Sequence, residues 1–135
     1  MKPDGMIAVA SNHDPAETTR RVERAVTARG ITILARIDHA AAAAKVGLPL
    51  RPTQVLIFGN PKAGTPLMQE AQTTGLDLPL RALVWQDEAG RTWFGYNDPG
   101  WLARRHGADR GTERVLETMA ATLADIAREV VGSAP

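Results

Sequence analysis

The sequence predicts a two-layer α+β domain in which a mainly antiparallel sheet has its helices packed on one face. Short apolar segments typical of strands are interspersed with helix-start signals along the chain. A polar turn over residues 87–90 joins two adjacent strand-like segments, as in a hairpin. A long amphipathic helix follows near the end of the chain. This mixed order argues against a doubly wound parallel sheet, in which strands and helices alternate regularly.

The strands are predicted from short segments that are rich in aliphatic and β-branched residues. They cover residues 6–10, 31–37, 55–58, 80–86 and 91–96. The third segment is apolar on both faces, which favours a central position in the sheet. The last two flank the polar turn, so they should pair with each other.

Three of the helices are predicted from cap signals in which a polar residue directly precedes a proline. The signals are Asp14-Pro15, Thr65-Pro66 and Asp98-Pro99. The first signal also has Glu17 at the position of a capping box. The helices that follow are expected to end near residues 30, 73 and 105, respectively.

Two further helices are predicted from composition and periodicity. A run of alanines predicts a short helix over residues 40–46, which Asp38 would cap. Apolar residues with a period of 3.6 predict a last helix over residues 112–131, with Thr112 as its cap. The chain end after this helix is expected to fray.

The composition is that of one ordinary domain. The chain has 135 residues, enough to bury about two-thirds of its unfolded surface. Its 16 basic and 15 acidic residues leave a net charge of +1, which argues against a nucleic-acid binder. The absence of cysteine excludes thiolate catalysis and disulfides. No apolar run approaches the about 20 residues of a membrane span. We therefore expect a single soluble, cytoplasmic domain over residues 1–135.

The first candidate for chemistry is the pair Asp38-His39, at the end of the second predicted strand. Strand ends of this kind are where folds usually place functional groups. A carboxylate beside an imidazole can orient a tautomer, share a proton or bind a metal, so His39 is a candidate general base and metal ligand. The structural alternative is that Asp38 caps the alanine-rich helix and His39 covers it.

A second candidate is the loop over residues 59–66, between the third strand and the next helix. Its backbone N–H groups would favour an anion, with Asn60, Lys62 and Thr65 as further ligand-binding groups. The structural alternative is an ordinary glycine-rich turn. Asp77 precedes the fourth strand and could project from the same sheet edge, or it could be an exposed turn carboxylate.

Aromatic and basic side chains near the hairpin allow more than one interpretation. The alternation of residues predicts that part of the surface formed by Trp85, Trp93 and Tyr96 faces away from the main core. Such a surface could line a pocket, form a dimer contact or be partly buried in the ordinary way. The basic run over residues 104–110 is interpreted as a solvated helix end rather than a phosphate contact, because the whole chain is nearly neutral.

A family resemblance covers residues 11–107. It is carried by the strings R-I-D-H-A-A-A-A (36–43), L-R-P-T-Q-V-L-I-F-G-N-P-K-A-G-T-P-L-M (50–68), L-D-L-P-L (76–80) and Y-N-D-P (96–99). In these strings the chain resembles the bacterial and archaeal family called domain of unknown function 302. The resemblance implies a fold similar to the TATA-box-binding-protein-like α+β class, often in dimers. It implies neither DNA binding nor any catalytic residue, because fold does not carry function.

Three functions are compared on these residues. The favoured hypothesis is a non-catalytic domain that binds a small anionic or partly apolar ligand. Its site would form where Asp38, His39, Asn60, Lys62 and Asp77 converge, with the hairpin aromatics as a wall. The first alternative is a hydrolase or isomerase with His39 as general base and Asp38 or Asp77 as its partner. The second is a metal- or haem-binding protein that uses His39. The cofactor is left open, and a homodimer is compatible with all three.

Overall fold

A computed structural model describes residues 2–132, and its strands form one antiparallel sheet. The strands are β1 (Met6–Ser11), β2 (Thr32–Asp38), β3 (Thr53–Gly59), β4 (Leu80–Gln86) and β5 (Thr92–Asn97). Their order across the sheet is β1-β5-β4-β3-β2. The third predicted strand, β3, is interior as expected, and the hairpin strands β4 and β5 are paired. The predicted frayed end at residues 133–135 lies outside the described residues.

The helices agree with the predicted α+β class. They are α1 (Pro15–Ala28), α2 (His39–Lys45), α3 (Pro61–Glu70), α4 (Pro99–His106) and α5 (Glu113–Val131), with a 3-10 turn at Gln72–Leu76. Helices α1 and α5 pack on one face of the sheet and on each other. We call this the inner face of the sheet. The prediction of an antiparallel sheet with helices on one face is confirmed.

The main core lies between the inner face and these two helices. Phe58, Val84 and Phe94 are almost completely buried there because alternate residues of each strand point to the same side. Their partners come from α1, at Val22 and Val26, and from the C-terminal half of α5. The residues of α5 in this core are Leu123, Ile126, Ala127 and Val130.

Helix α5 extends into a second apolar cluster. Its 19 residues span about 28 Å, whereas strands of 6 or 7 residues span about 20–23 Å. The N-terminal part of α5 therefore packs against other helices rather than against the sheet. This second cluster contains Leu67 of α3, Ala103 of α4, Ala108 and Met119, with Val115 and Leu116 beside them.

The outer face of the sheet is the one opposite α1 and α5, and it is strongly apolar. Its apolar residues follow from the strand register and are Met6, Ala8, Ala10, Ala35, Ile37, Val55, Ile57, Leu83, Trp85 and Trp93. Gly95 lies among them, and the side chains of Met6 and Trp85 occupy the space above it. The prediction that part of the aromatic surface faces away from the main core is therefore confirmed, because Trp85 and Trp93 lie on the outer face and Tyr96 lies in the main core.

One predicted helix start is wrong, and one predicted side-chain cap is not formed. Helix α3 begins at Pro61 rather than at Thr65-Pro66, because Asn60-Pro61 supplies the same signal earlier and the Asn60 Oδ1 accepts from the Lys62 N–H at 3.0 Å. Thr112 precedes α5 as predicted but does not cap it with its side chain. Its hydroxyl instead donates to the Ala108 carbonyl at 2.5 Å.

Substitution of Gly95 should test the packing of the outer face. A Cβ at this position would lie 2.5 Å from the Met6 Cε and 2.9 Å from the Trp85 ring, so Gly95→Ala forces side chains to move. We expect the free energy of unfolding to fall by about 1–3 kcal/mol in urea titrations. Gly64→Ala is the control, because its Cβ would meet Leu78 at an ordinary 3.5 Å within a helix. Equal stability of the two variants would contradict the packing.

Candidate functional site

A cavity of about 930 Å³ lies between α3, α5 and the strand ends of β2, β3 and β4. It occupies the junction between the main core and the second apolar cluster. Its floor contains Phe58, Leu123 and Ile126, each at most 1% exposed. Its volume is at the upper end of the range of about 300–1,000 Å³ for small-molecule sites. Further apolar lining comes from Ile31, Leu34, Ala63, Met68, Leu78, Pro79, Leu80, Val115 and Met119.

The charged lining of the cavity is cationic. Arg29, Lys62 and Arg114 line it, and none of the lining residues is acidic within the described part of the chain. Arg29 is already paired, because its guanidinium donates to both Glu129 carboxylate oxygens at 2.9 and 2.8 Å. These hydrogen bonds hold the pKa of Glu129 below its usual range. Lys62 and Arg114 have no ion pair among residues 2–132, so their charges face solvent or a ligand.

The predicted anion loop contributes to this cavity in a different way from that expected. Asn60, Lys62 and Thr65 all line it. However, the first backbone donors of α3 are not free, because the Ala63 and Gly64 N–H groups bond to the Asn60 carbonyl at 2.9 and 3.1 Å. With the Lys62 N–H capped by the Asn60 side chain, an anion would meet side chains rather than backbone donors.

The structure places Asp38 and His39 away from the cavity. In the register of β2 and β3, Thr32 pairs with Gly59 and Asp38 pairs with Gln54. Asp38 therefore lies beside Gln54, which is six residues, or about 20 Å, from Asn60 along the chain of β3. Asp38 accepts from the Ala41 N–H at 2.9 Å as the cap of α2, and His39 is exposed on that helix. The expected convergence of these residues with Asn60 does not occur, because successive antiparallel strands end at opposite sheet edges.

Asp77 lies at the cavity end of the sheet but faces α4. Its carboxylate Oδ2 accepts from the His106 Nε2 and the Arg105 guanidinium, each at 2.5 Å. The Thr73 hydroxyl lies 3.0 Å from the His106 Nδ1. A neutral ring with its proton on Nε2 satisfies both contacts, donating to Asp77 and accepting from Thr73. We call these four residues the Asp77 cluster.

The Asp77 cluster corrects two predictions. The run at residues 104–110 is not simply a solvated helix end, because the His106 side chain is only 8% exposed. Asp77 is not an exposed turn carboxylate either. Burial opposes its ionisation, but the hydrogen bonds from His106 and Arg105 outweigh burial and hold the pKa of Asp77 below its usual range. No local pattern in the sequence links Asp77 with His106, since they are 29 residues apart.

The hairpin aromatics do not line the cavity. Trp85 and Trp93 stack on the outer face with ring centroids 6.3 Å apart. The Trp93 Nε1 donates to the Asp87 carboxylate at 2.8 Å, and this bond is the main cause of a lowered pKa of Asp87. The expected aromatic wall is therefore absent from the inner face.

Residues 2–132 contain neither a metal-binding cluster nor a membrane-spanning helix. This part of the chain holds no group of three or more His, Cys, Asp or Glu side chains arranged to bind a metal ion. Within the same residues, no helix combines the length and apolar character needed to cross a bilayer.

Comparison with a family and a solved structure supports the fold. The chain matches the family described as "Domain of unknown function DUF302" over residues 7–126, which includes most of α5. It is also similar to the protein described as "Crystal structure of uncharacterized conserved protein DUF302 from Bacillus stearothermophilus". The TM-score is 0.80 at 22% identity, with 93% of this chain and 100% of that chain covered. At this identity the structural likeness shows the fold alone.

Curated relatives are longer than this chain. The "Fluoride-specific ion channel FluC 1" of Brucella suis biovar 1 (strain 1330) is 41% identical over 128 residues, covering 95% of this chain and 50% of that protein. The "Fluoride-specific ion channel FluC 2" of Brucella melitensis biotype 1 is likewise 41% identical over 128 residues, 47% of its length. This chain thus spans about half the length of the curated relatives it matches.

The Asp77 cluster should stabilise the fold in a pH-dependent way. Asp77→Asn is expected to lower the free energy of unfolding by about 1–3 kcal/mol at pH 7, because the buried His106 donor and the Arg105 guanidinium lose a charged acceptor. The pKa of Asp77 is lower in the folded protein. The stabilisation is therefore complete above the unfolded pKa and is lost as the pH falls through the folded pKa. Urea unfolding should therefore show a smaller difference in the free energy of unfolding between wild type and Asp77→Asn below about pH 4 than at pH 7.

Asp109→Asn is the matched control for this experiment. Asp109 is exposed in the same segment and has no ion pair within residues 2–132. An equal loss of stability in both variants, or a difference from wild type that does not change with pH, would contradict the role of the Asp77 carboxylate.

Proposed function

The chain belongs to the DUF302 family, and we propose that it is a non-catalytic binding domain for a small, partly apolar, anionic ligand. The observation that carries this proposal is the cavity of about 930 Å³ with a buried apolar floor and cationic side chains. Covering such a floor with an apolar ligand group removes its surface from water, which contributes about 25 cal/mol per Å².

The alternative functions receive less support from the geometry. A general base at His39 needs Asp38 or Asp77 within hydrogen-bond reach of a shared substrate. Asp38, at the end of β2, pairs with Gln54 of β3, whereas Leu80, at the start of β4, pairs with Phe58 of β3. The end of β2 and the start of β4 are therefore separated by about 13 Å along β3. Asp77 is further committed to the Asp77 cluster. His39 also does not line the cavity, so the cavity gives no support to a metal or haem site at His39.

Filling the cavity should abolish binding. Thr122 lines it from α5, whereas the adjacent Ala121 is exposed and does not. The probe is anilinonaphthalene sulfonate, an apolar anion that fluoresces in apolar sites. Sodium fluoride is tested as a separate ligand, because the curated relatives are named for the fluoride ion. We expect wild type and Ala121→Trp to bind the dye and Thr122→Trp to lose at least about tenfold in affinity, since tryptophan occupies the space.

Fluorescence titration and thermal melting of the same samples measure this effect. Thr122→Trp should melt close to wild type, because the new side chain fills space without displacing core residues. Equal dye affinity in the two tryptophan variants, or no dye binding by wild type, would contradict the proposed site. Stabilisation by fluoride alone would indicate a small-anion site instead.

We also propose that the domain is a cytoplasmic homodimer that pairs through the outer face. Five strands about 4.8 Å apart and about 20 Å long present roughly 500 Å² on each copy. Two such faces would bury about 1,000 Å² in total, which reaches the lower limit of a specific interface. The apolar character of the face supports this assignment, since large exposed apolar patches mark interaction sites.

A charge on the outer face should separate the proposed dimer. Ile37 is 41% exposed on this face, so Ile37→Glu should fold while placing a carboxylate in the interface. We expect wild type to scatter light as a dimer and this variant as a monomer. Leu76→Glu is the control, because Leu76 is 69% exposed but lies in the 3-10 turn rather than in the sheet. A monomeric wild type, or dissociation in both variants, would argue against pairing through the outer face.

A further inference from the structure

We infer that the ligand of the cavity is a single-headed amphiphile: an unbranched apolar chain covers the floor, and one carboxylate-like group lies between Lys62 and Arg114. This inference rests on the proposed binding function and specifies its ligand. Such a molecule combines an anionic group, which complements the cationic lining residues, with an apolar chain, which complements the apolar ones.

The exposure of the lining residues defines the orientation. Lys62 and Arg114 are exposed, whereas Phe58 and Leu123 are each only 1% exposed. The site is therefore cationic on its solvent side and apolar in its interior. Leu34 also lines the cavity and is 58% exposed, which adds an apolar contact near the entrance. A ligand matches this gradient if its charge stays near solvent and its chain enters first.

The number of available cations limits the charge of the ligand. Arg29 is bound to both Glu129 oxygens and also donates to the Ala25 carbonyl at 2.9 Å. A ligand would have to displace these acceptors to use it. Lys62 and Arg114 are the remaining cations of the lining in the described part of the chain. Two cations match a monoanionic or dianionic head and leave the several charges of a nucleoside triphosphate uncompensated.

The floor of the cavity selects against polar ligands. Phe58, Leu123 and Ile126 offer no hydrogen-bond donor or acceptor from their side chains, so a sugar or nucleobase would lose its bonds to water there. Met68 and Met119 add flexible apolar lining that can adapt to chains of different length. A bare inorganic anion would contact the cations but leave the floor unfilled.

The polar residues of α5 are compatible with an apolar chain. Arg114, Thr118 and Thr122 recur at intervals of four residues and form one stripe of the cavity wall. The Thr118 hydroxyl already donates to the Arg114 carbonyl at 2.9 Å. Its proton is therefore used within the helix, which lowers the demand for a polar ligand group at this depth.

A homologous series of linear carboxylates tests the chain. Calorimetric titration with hexanoate, octanoate, decanoate and dodecanoate, each below its micellar concentration, should show affinity rising about threefold to fourfold for each added methylene, which is at least about ninefold between successive members of the series. The rise should stop when the cavity is full. Thr122→Trp should abolish the rise, and Ala121→Trp should retain it. A flat series, with wild-type affinity independent of chain length, would overturn the inference.

Charge removal tests the head group. The double variant Lys62→Gln/Arg114→Gln should bind decanoate at least about tenfold more weakly while its affinity for decanol, the neutral counterpart, stays within about twofold. Added sodium chloride should weaken decanoate binding to wild type and have little effect on the double variant. The double variant Lys45→Gln/Arg110→Gln is the control and should keep the preference for decanoate, because both side chains are exposed and neither lines the cavity.

The outcomes separate this inference from the proposed function. If decanoate and decanol bind wild type equally and Thr122→Trp removes both, the cavity binds apolar ligands and the head-group assignment is overturned. Competition by adenosine triphosphate at the affinity of decanoate would also overturn the assignment. If wild type binds none of these probes and not the dye, the proposed binding function fails with it.

Discussion

The structure depends on one mismatch of length. Helix α5 spans about 28 Å, whereas the strands beneath it span about 20–23 Å. Its C-terminal half can pack on the sheet, but its N-terminal part must find other partners. Helices α3 and α4 supply them, so the domain has two apolar clusters joined by one helix. The cavity lies where these clusters meet, because neither the sheet nor the short helices reach far enough to fill the space between them.

The wall of the cavity is held by contacts outside it. An added Cβ on Gly59 would lie 3.2 Å from the Pro79 Cβ, so the glycine at the end of β3 lets the chain before β4 pack closely. The Asp77 cluster then attaches this chain to α4, which packs against α5. Leu78 and Pro79 line the cavity between these two attachments. The shape of the wall therefore depends on an ion pair that no ligand needs to touch.

The sequence predicts elements better than it predicts the site, and the physical reason lies in distance along the chain. Strands, the hairpin and the cap of α1 by Asp14 depend on neighbouring residues, and each is found as expected. The start of α3 was ambiguous because two cap-then-proline signals lie five residues apart, and the structure uses Asn60. The predicted convergence of Asp38 with Asn60 is wrong, and the predicted antiparallel sheet already argued against it, since consecutive antiparallel strands end at opposite edges.

The two cationic residues of the candidate site could not be connected from local sequence patterns. Lys62 lies in the first turn of α3 and Arg114 in the first turn of α5, and only the packing of these helices brings both into one cavity. Their placement is also unfavourable in isolation, because the N-terminus of a helix carries partial positive charge and repels a cation by about 0.3–1 kcal/mol.

Helix α3 has no acidic residue in its first turn to offset this repulsion. The whole-chain charge of +1 conceals the effect, because the acidic residues that balance it lie elsewhere. Helix α5 has Glu113 in its first turn, so the uncompensated repulsion lies at Lys62, and an anionic group between Lys62 and Arg114 would relieve it there. The cavity thus favours an anion through Lys62 and Arg114, which have no ion pair among residues 2–132, and an apolar chain through its floor of Phe58, Leu123 and Ile126.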